Sequence, residues 1–314
     1  MLGRKVEHLF EDNQSKPGES ATIVRKLITR DKVVAILGEV ASGRSLEAAP
    51  ICQLYKVPMV SPSSTNPKVT ETGDYIFRVC FIDPFQGTVM AKFAQNTLKV
   101  RKMAVLLDAG AAYSVGLATY FKQRFTEDKG TIVVERKYNS GDKDFKAQLT
   151  SIKAAGPEAL FVPGYYTEAG LIVKQARQLG LNVPVFGGDG WEAPELIQIG
   201  GKALDGTYYS THYSPEDKSE AVQNFVKKFK ARFTGETPDA MAALGYDSAM
   251  VMVDAMKRAG TTEGAKVRDA LAATRDLPGV TGKTTMDARR NATKPAVIIA
   301  VKDGQFKYVE TISP

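Results

Sequence analysis

Residues 33–67 read VVAILGEVASGRSLEAAPICQLYKVPMVSPSSTNP. Residues 33–37 form an uninterrupted apolar run, which predicts a short strand buried on both faces. Gly38 ends it, and Ala41-Ser42-Gly43 opens a helix that carries Leu46, Ala49 and Ile51. Residues 57–60 predict the next strand, and Ser61-Pro62-Ser63-Ser64-Thr65-Asn66-Pro67 follows at once. Two strand ends therefore present backbone N–H groups and small hydroxyls, a setting suited to a carboxylate or other small anion. Open α/β sheets bind ligands beyond the carboxyl ends of their strands.

The pattern extends in both directions. Upstream, Val6, His8 and Phe10 alternate with charged residues, which predicts a strand over 4–11. A turn over 12–18 and a helix with Ala21, Val24, Leu27 and Ile28 on one face lead into the quoted stretch. Downstream, residues 70–82 read as an extended crossing. A second strand–helix series then begins at Met103, with strands expected near 103–109, 131–138, 159–163, 183–186 and 207–213. Helices fall between the first four of these, and three more follow at 216–233, 239–259 and 265–273. Two closing strands, 296–301 and 306–310, flank Lys302-Asp303-Gly304-Gln305, a hairpin-turn composition. Short apolar strands alternating with helices of this length argue an α/β fold with mainly parallel sheets.

Composition narrows the function. The 314 residues suit two domains or one large one. At 43% hydrophobic and 25% charged the chain is ordinary for a globular protein. It has no run of eighteen apolar residues, so no membrane-spanning helix is predicted. Residues 1–12 carry no apolar signal core. The net charge is +7, and its densest patch, KKFKAR at 227–232, reads as a solvated helix face; no nucleic-acid partner is expected. Cys52 and Cys80 read as buried thiols, with a disulfide between them left open. His8 and His212 match no metal-ligand spacing. Dinucleotide, P-loop, nucleophile-elbow and zincin motifs are all missing, and no cofactor is predicted.

Polar and aromatic residues gather at the strand ends. Ser42, Ser63, Ser64 and Thr65 come from the first half, and Tyr113, Tyr165 and Asp189 from the second. If the halves face one another, hydroxyls and N–H donors oppose a carboxylate and two tyrosines, which fits a zwitterion. Each residue also has a plainer reading. Ser42 could cap its helix, 61–66 could be turn chemistry, the tyrosines could pack a lobe, and Asp189 could suit a left-handed turn between glycines. Arg44 could meet a second ligand carboxylate or point to solvent. Trp191 could be lobe surface or cleft rim.

The stretches LGRKVEHLFEDNQSKP, AILGEVASGRSLEAAPI, VPMVSPSSTNPKVTETGDYIFRVCFIDPFQG, DKDFKAQLTSIKAAGPEALFVPGYYTEAG and PVFGGDGW together resemble the periplasmic branched-chain amino-acid-binding proteins. These are the substrate-binding components of ABC importers, with the type I periplasmic binding fold. The resemblance covers essentially the whole chain. It implies two Rossmann-like lobes joined by a three-crossing hinge near residues 82, 211 and 282. Lobe one would take 1–82 plus 212–280, and lobe two 83–211 plus 281–314. It implies that Ser42, a backbone group near Ser63 and Thr65 hold the ligand carboxylate, that Tyr113 and Tyr165 line the site, and that Asp189 meets the ammonium. Tyr166 leaves the tyrosine register open by one. It further implies a monomeric, non-enzymatic periplasmic receptor that delivers an amino acid to a membrane permease. Sensor modules of the same fold that take amides, urea-like compounds or aromatic acids are the rival reading, and an enzyme with an unrecognised site is another. Family members begin with a signal peptide, a strand and a helix ahead of LGRKVE. By that comparison the first strand and helix of lobe one are missing, and the expectation is of an N-terminally truncated chain.

Overall fold

The computed structural model describes residues 1–313 and divides into two compact units. The first holds Met1–Ile82 and Asp217–Lys294; the second holds Asp83–Glu216 and the chain from Pro295 onward. Unit one opens with α1 (Glu19–Thr29), β1 (Ile36–Leu37), α2 (Ser42–Tyr55), β2 (Met59–Ser61), α3 (Lys68–Glu71) and β3 (Ile76–Arg78). Unit two continues with α4 (Asp83–Lys92), extended by a π-helical turn over Phe93–Thr97, then β4 (Lys102–Asp108), α5 (Ala112–Glu127) and β5 (Thr131–Tyr138). It goes on through α6 (Lys146–Ala154), β6 (Ala159–Phe161), α7 (Tyr166–Gln178), β7 (Val185–Gly187), α8 (Pro194–Gly200) and β8 (Thr207–Thr211). The chain returns to unit one for α9 (Glu220–Arg232), α10 (Ala240–Ala259) and α11 (Gly264–Ala272). It ends in unit two with β9 (Ala296–Lys302) and β10 (Gln305–Ile312).

Unit one is built on a parallel sheet in the order β1-β2-β3, with Ile36 opposite Met59 and Met59 opposite Ile76. Strand side chains alternate between faces. Met59 and Ile76 therefore pack with Val24, Leu27, Ala48 and Cys52 of α1 and α2, while Val60 and Phe77 pack with Leu244, Val251 and Leu271 of α10 and α11. Both faces are covered, which is why β2 and β3 are apolar without alternation.

Unit two has seven strands in the order β10-β9-β8-β7-β6-β4-β5. The strands from β8 to β5 run parallel; β9 lies antiparallel to β8 and closes on β10 as a hairpin. Leu160 belongs to the core with Leu149, Ile172 and Leu196. Its neighbour Phe161 faces the other way and stacks on Phe121 of α5, with ring centroids 3.9 Å apart. Helices α4 and α5 approach so closely that a Cβ at Gly87 would lie 2.7 Å from the backbone nitrogen of Phe121. Glycine is required there by contact with backbone.

Four expectations change. Residues 4–11 form no strand: no ladder pairs with them, and Val6 and Phe10 are 52% and 86% exposed. Alternation marks a face only where a neighbouring strand supplies hydrogen bonds. The strand expected over 33–37 shrinks to Ile36–Leu37 and is not buried on both faces, since Leu37 is 46% exposed at the sheet edge. The third passage between units falls after Lys294 and not near Gly282. Residues 281–294 are tied to unit one by the Leu277–Thr284 bridge, by the amide of Met286, which donates to the carbonyl of Thr274, and by the amide of Arg78, which donates to the carbonyl of Arg290. Residues 212–216 stay with unit two, where the Glu216 carboxylate accepts from the backbone N–H of Tyr308.

Lys227, Lys228 and Lys230 are exposed on α9. Cys52 and Cys80 are both buried, and no disulfide joins them. Among the described residues no helix is long and apolar enough to cross a membrane. None of their His, Cys, Asp and Glu side chains form a group of three that could hold a metal ion.

Candidate functional site

Strands β1 and β2 are parallel, so the loops that leave them emerge at the same end of the unit-one sheet. Ser42 is the first residue of α2 and does not cap it; Ala41 holds the cap position and no side chain bonds there. The Ser42 hydroxyl instead accepts from the backbone N–H of Asn66 at 3.2 Å, joining the second loop to the start of α2. It donates to no group among the described residues. Ser61 Oγ donates to the Glu39 carbonyl at 2.7 Å and accepts from the Ser64 N–H at 2.9 Å. Ser64 Oγ lies 2.9 Å from the Val40 carbonyl and 2.7 Å from Ser45 Oγ. The Ser64 hydroxyl is thus committed to bracing the two loops together. Ser63 is buried beside it. Thr65 Oγ1 is buried with no hydrogen-bond partner among the described residues.

Arg78 was not singled out from the sequence. It is fully buried on β3, and its guanidinium donates to the carbonyls of Ser64 and Pro67 and to Thr70 Oγ1. Arg78 thus ties down the loop's carbonyls, while the N–H groups of Ser64 and Asn66 are held by the hydroxyls of Ser61 and Ser42. The available signal was a lone charge inside the apolar run YIFRVCFI. Arg44 pairs with Glu47 at 3.1 Å and does not point to solvent. Burial raises the Glu39 carboxyl above its usual range.

In unit two the loops after β4, β6, β7 and β8 leave four adjacent parallel strands at one end. They bring together Tyr113, Tyr165, Asp189 and a residue read only as a non-ligand, His212. Tyr113 OH donates to Asp189 Oδ1 at 2.9 Å and accepts from the Gly190 N–H at 3.1 Å. Gln86 Nε2, from the first turn of α4, donates to the same carboxylate oxygen at 2.8 Å and to Ser210 Oγ at 3.0 Å. His212 Nε2 lies 3.1 Å from Asp189 Oδ2. Asp189 is buried. Burial, and then the Asp189 charge, hold the Tyr113 phenol well above its usual range, so it stays a neutral donor.

Tyr165, not Tyr166, faces Tyr113, with ring centroids 5.2 Å apart. Asp189 opens a short 3-10 turn and has no left-handed backbone, so that reading of its glycine neighbours falls. The glycines are needed for space: a Cβ at Gly188 would lie 2.5 Å from Tyr113 OH, and one at Gly190 2.6 Å from the Gly164 carbonyl. Trp191 is neither rim nor surface; it is fully buried and its Nε1 donates to the Val162 carbonyl at 3.0 Å. A separate surface groove of about 530 Å³, bordered by Lys174, Arg177 and Lys202, lies at the far end of α7 from Tyr166.

Each unit is thus polar in an opposite sense. Unit one gathers hydroxyls and N–H donors suited to an anion, and unit two centres on one buried carboxylate suited to a cation. The periplasmic binding protein family model matches residues 1–305. The chain belongs to this family. Leu/Ile/Val-binding protein homolog 3 of Brucella melitensis is 30% identical over 98% of this chain and 83% of its own length. The structure of a leucine-binding protein, LivK, of Thermotoga maritima is 42% identical, with a TM-score of 0.97 over 100% of this chain and 89% of that one. The branched-chain amino acid transporter substrate-binding protein LivJ of Streptococcus pneumoniae, solved in complex with isoleucine, is 34% identical, with a TM-score of 0.93 over 99% and 88% of the two chains. Within the family, the chain falls among substrate-binding proteins of branched-chain amino acid ABC transporters, and its architecture is the type I periplasmic binding fold.

Proposed function

We propose that this chain binds a branched-chain or other aliphatic α-amino acid in the periplasm and delivers it to the membrane permease of an ABC importer. The carrying observation is Asp189, a buried carboxylate ringed by Tyr113, Gln86 and His212 at the ends of four parallel strands. A buried carboxylate held by neutral hydroxyl and amide donors is well placed to accept a ligand ammonium. The Ser42 and Thr65 hydroxyls, beside the loop that Arg78 clamps, take the ligand carboxylate in this reading. Tyr113 and Tyr165 offer ring surface to the rest of the ligand. Likeness to a leucine-binding protein and to a protein solved with isoleucine supports an aliphatic side chain. The chain works by binding, with no covalent step, so it is not an enzyme.

Thermal unfolding of the full chain with leucine, isoleucine, valine, isovaleramide and benzoate tests this. A true ligand raises the midpoint in proportion to RT ln(1 + [L]/Kd). Leucine, isoleucine or valine should do so, and the amide and benzoate should not. A shift with benzoate or isovaleramide alone would replace the amino-acid reading with the sensor reading.

A further inference from the structure

We propose that Gln86 contacts the ligand directly, its side-chain oxygen accepting an N–H of the ammonium that Asp189 also holds. This deepens the amino-acid reading and rests on it. Gln86 is fully buried. The direction of its amide follows from its neighbours: Nε2 sits 2.8 Å from Asp189 Oδ1 and 3.0 Å from Ser210 Oγ. Turning the amide over would press an oxygen against the carboxylate, so the donor end belongs there. Oε1 is then the acceptor end, buried and with no hydrogen-bond partner among the described residues. A carbonyl oxygen in that state is costly unless a donor reaches it.

The count of donors and acceptors points the same way. A carboxylate offers about four lone-pair sites, and an ammonium brings three N–H donors. Asp189 already accepts from Tyr113, Gln86 and His212. It therefore cannot take all three ammonium donors, and a second acceptor must stand close by. Gln86 Oε1 meets that need. Nitrogen and oxygen of one carboxamide are about 2.2 Å apart. With Nε2 at 2.8 Å from Asp189 Oδ1, Oε1 lies within about 5 Å of that oxygen. One nitrogen can donate to two acceptors at that spacing with ordinary bonds of about 2.9 Å. Gln86 then makes the site sensitive to the number of N–H groups, which selects primary ammonium ligands.

The test compares leucine with N-methylleucine by calorimetry, on the full chain and on Gln86→Met. The unmodified chain should prefer leucine about tenfold or more, the range of a hydrogen bond to a charged group. In Gln86→Met leucine should bind more weakly, and the preference should shrink by about the same factor. Equal weakening of both ligands would mean that Gln86 only braces Asp189, and would overturn the proposal. An unchanged affinity would overturn it too. If the variant fails to fold, the side-chain carbonyl carbon of Gln86 in the unmodified chain supplies the reading. Its resonance should move downfield when leucine binds, and a still resonance, as with a retained water on Oε1, would refute the contact. Failure of the unmodified chain to bind any α-amino acid would sink the amino-acid reading and this inference together.

Discussion

His212 Nε2 lies 3.1 Å from Asp189 Oδ2, and both side chains are buried. Asp189 also accepts from Tyr113 and Gln86, so its carboxylate is held from α5, α4 and the end of β8 besides its own strand end. Asp189→Asn removes the negative charge while keeping the side chain's size. It should weaken leucine binding about 10- to 100-fold, the worth of a hydrogen bond to a charged group. His212→Asn leaves Tyr113 and Gln86 on the carboxylate and should weaken binding less. Calorimetry decides: leucine affinity unchanged in Asp189→Asn would remove Asp189 from the ammonium site.

Thr65 and Ser64 are neighbours with opposite expected roles. Ser64 Oγ lies 2.9 Å from the Val40 carbonyl, a part-buried contact between loops, and 2.7 Å from Ser45 Oγ of α2, a buried one. Ser64→Ala should lower unfolding stability by about 1–3 kcal/mol, because it strands buried partners. Thr65 Oγ1 has no such partner among the described residues. Thr65→Val should keep or raise the stability of the ligand-free protein and weaken leucine binding about tenfold. Denaturant melts and calorimetry on both variants separate the roles. A stable Ser64→Ala that binds poorly would reverse the assignment.

The sequence carried the architecture further than the site. The parallel sheets were legible because β2 and β3 are covered on both faces and so carry apolar residues at every position. The loops after β1 and β2 were legible as a donor-rich sheet end because backbone N–H groups and small residues need no fine geometry. Which hydroxyl braces and which stays available was not, since Ser64 and Thr65 differ only in the direction their oxygens point. Gln86 is not legible as a site residue because it is 103 residues from Asp189 and reaches it only when α4 folds beside β7 and β8. His212 matches no metal-ligand spacing, and its role comes instead from its position one residue past β8, beside the end of β7. Residues 4–11 misled because their alternation needs a pairing strand to mean anything.

Lys294 and Asp247 form a buried pair in unit one whose two members should respond unequally to removal. Lys294 Nζ donates to Thr281 Oγ1 and the Gly282 carbonyl, each at 2.9 Å, and lies 3.6 Å from Asp247 Oδ2. Burial lowers the Lys294 pKa, and Asp247 opposes that shift. Asp247→Ala leaves an ammonium buried without its counter-charge and should cost about 3–5 kcal/mol. Lys294→Met leaves Asp247 with the N–H groups of Val280 and Thr281 and the Thr281 hydroxyl. It should cost less than about 2 kcal/mol. Urea melts of the two variants give the comparison, and equal losses would show that the pair acts through charge alone.

Cys52 gives a pH signature. It is a fully buried free thiol in the core between α1, α2 and the unit-one sheet, and burial pushes its pKa from 9.0 up to about 12. A thiol whose pKa is raised by folding holds its proton in the native state after the unfolded chain has lost it. The associated stability is therefore complete below pH 9 and is lost as pH rises toward 12. From pH 8 to pH 10 the loss from this one group should be about 1.4 kcal/mol. Tyr113 and Tyr138 also carry raised pKa values and add their own loss as unfolded tyrosine ionises through about pH 10, but that loss is common to the unmodified chain and to a Cys52 variant. Cys52→Ala should be less stable than the unmodified chain at pH 8, because a small cavity replaces the sulfur. It should lack this slope, so the gap between the two proteins narrows by about 1.4 kcal/mol at pH 10. Urea melts at pH 8, 9 and 10 measure the gap, and a gap independent of pH would mean that the thiol ionises as readily in the folded chain as in the unfolded one.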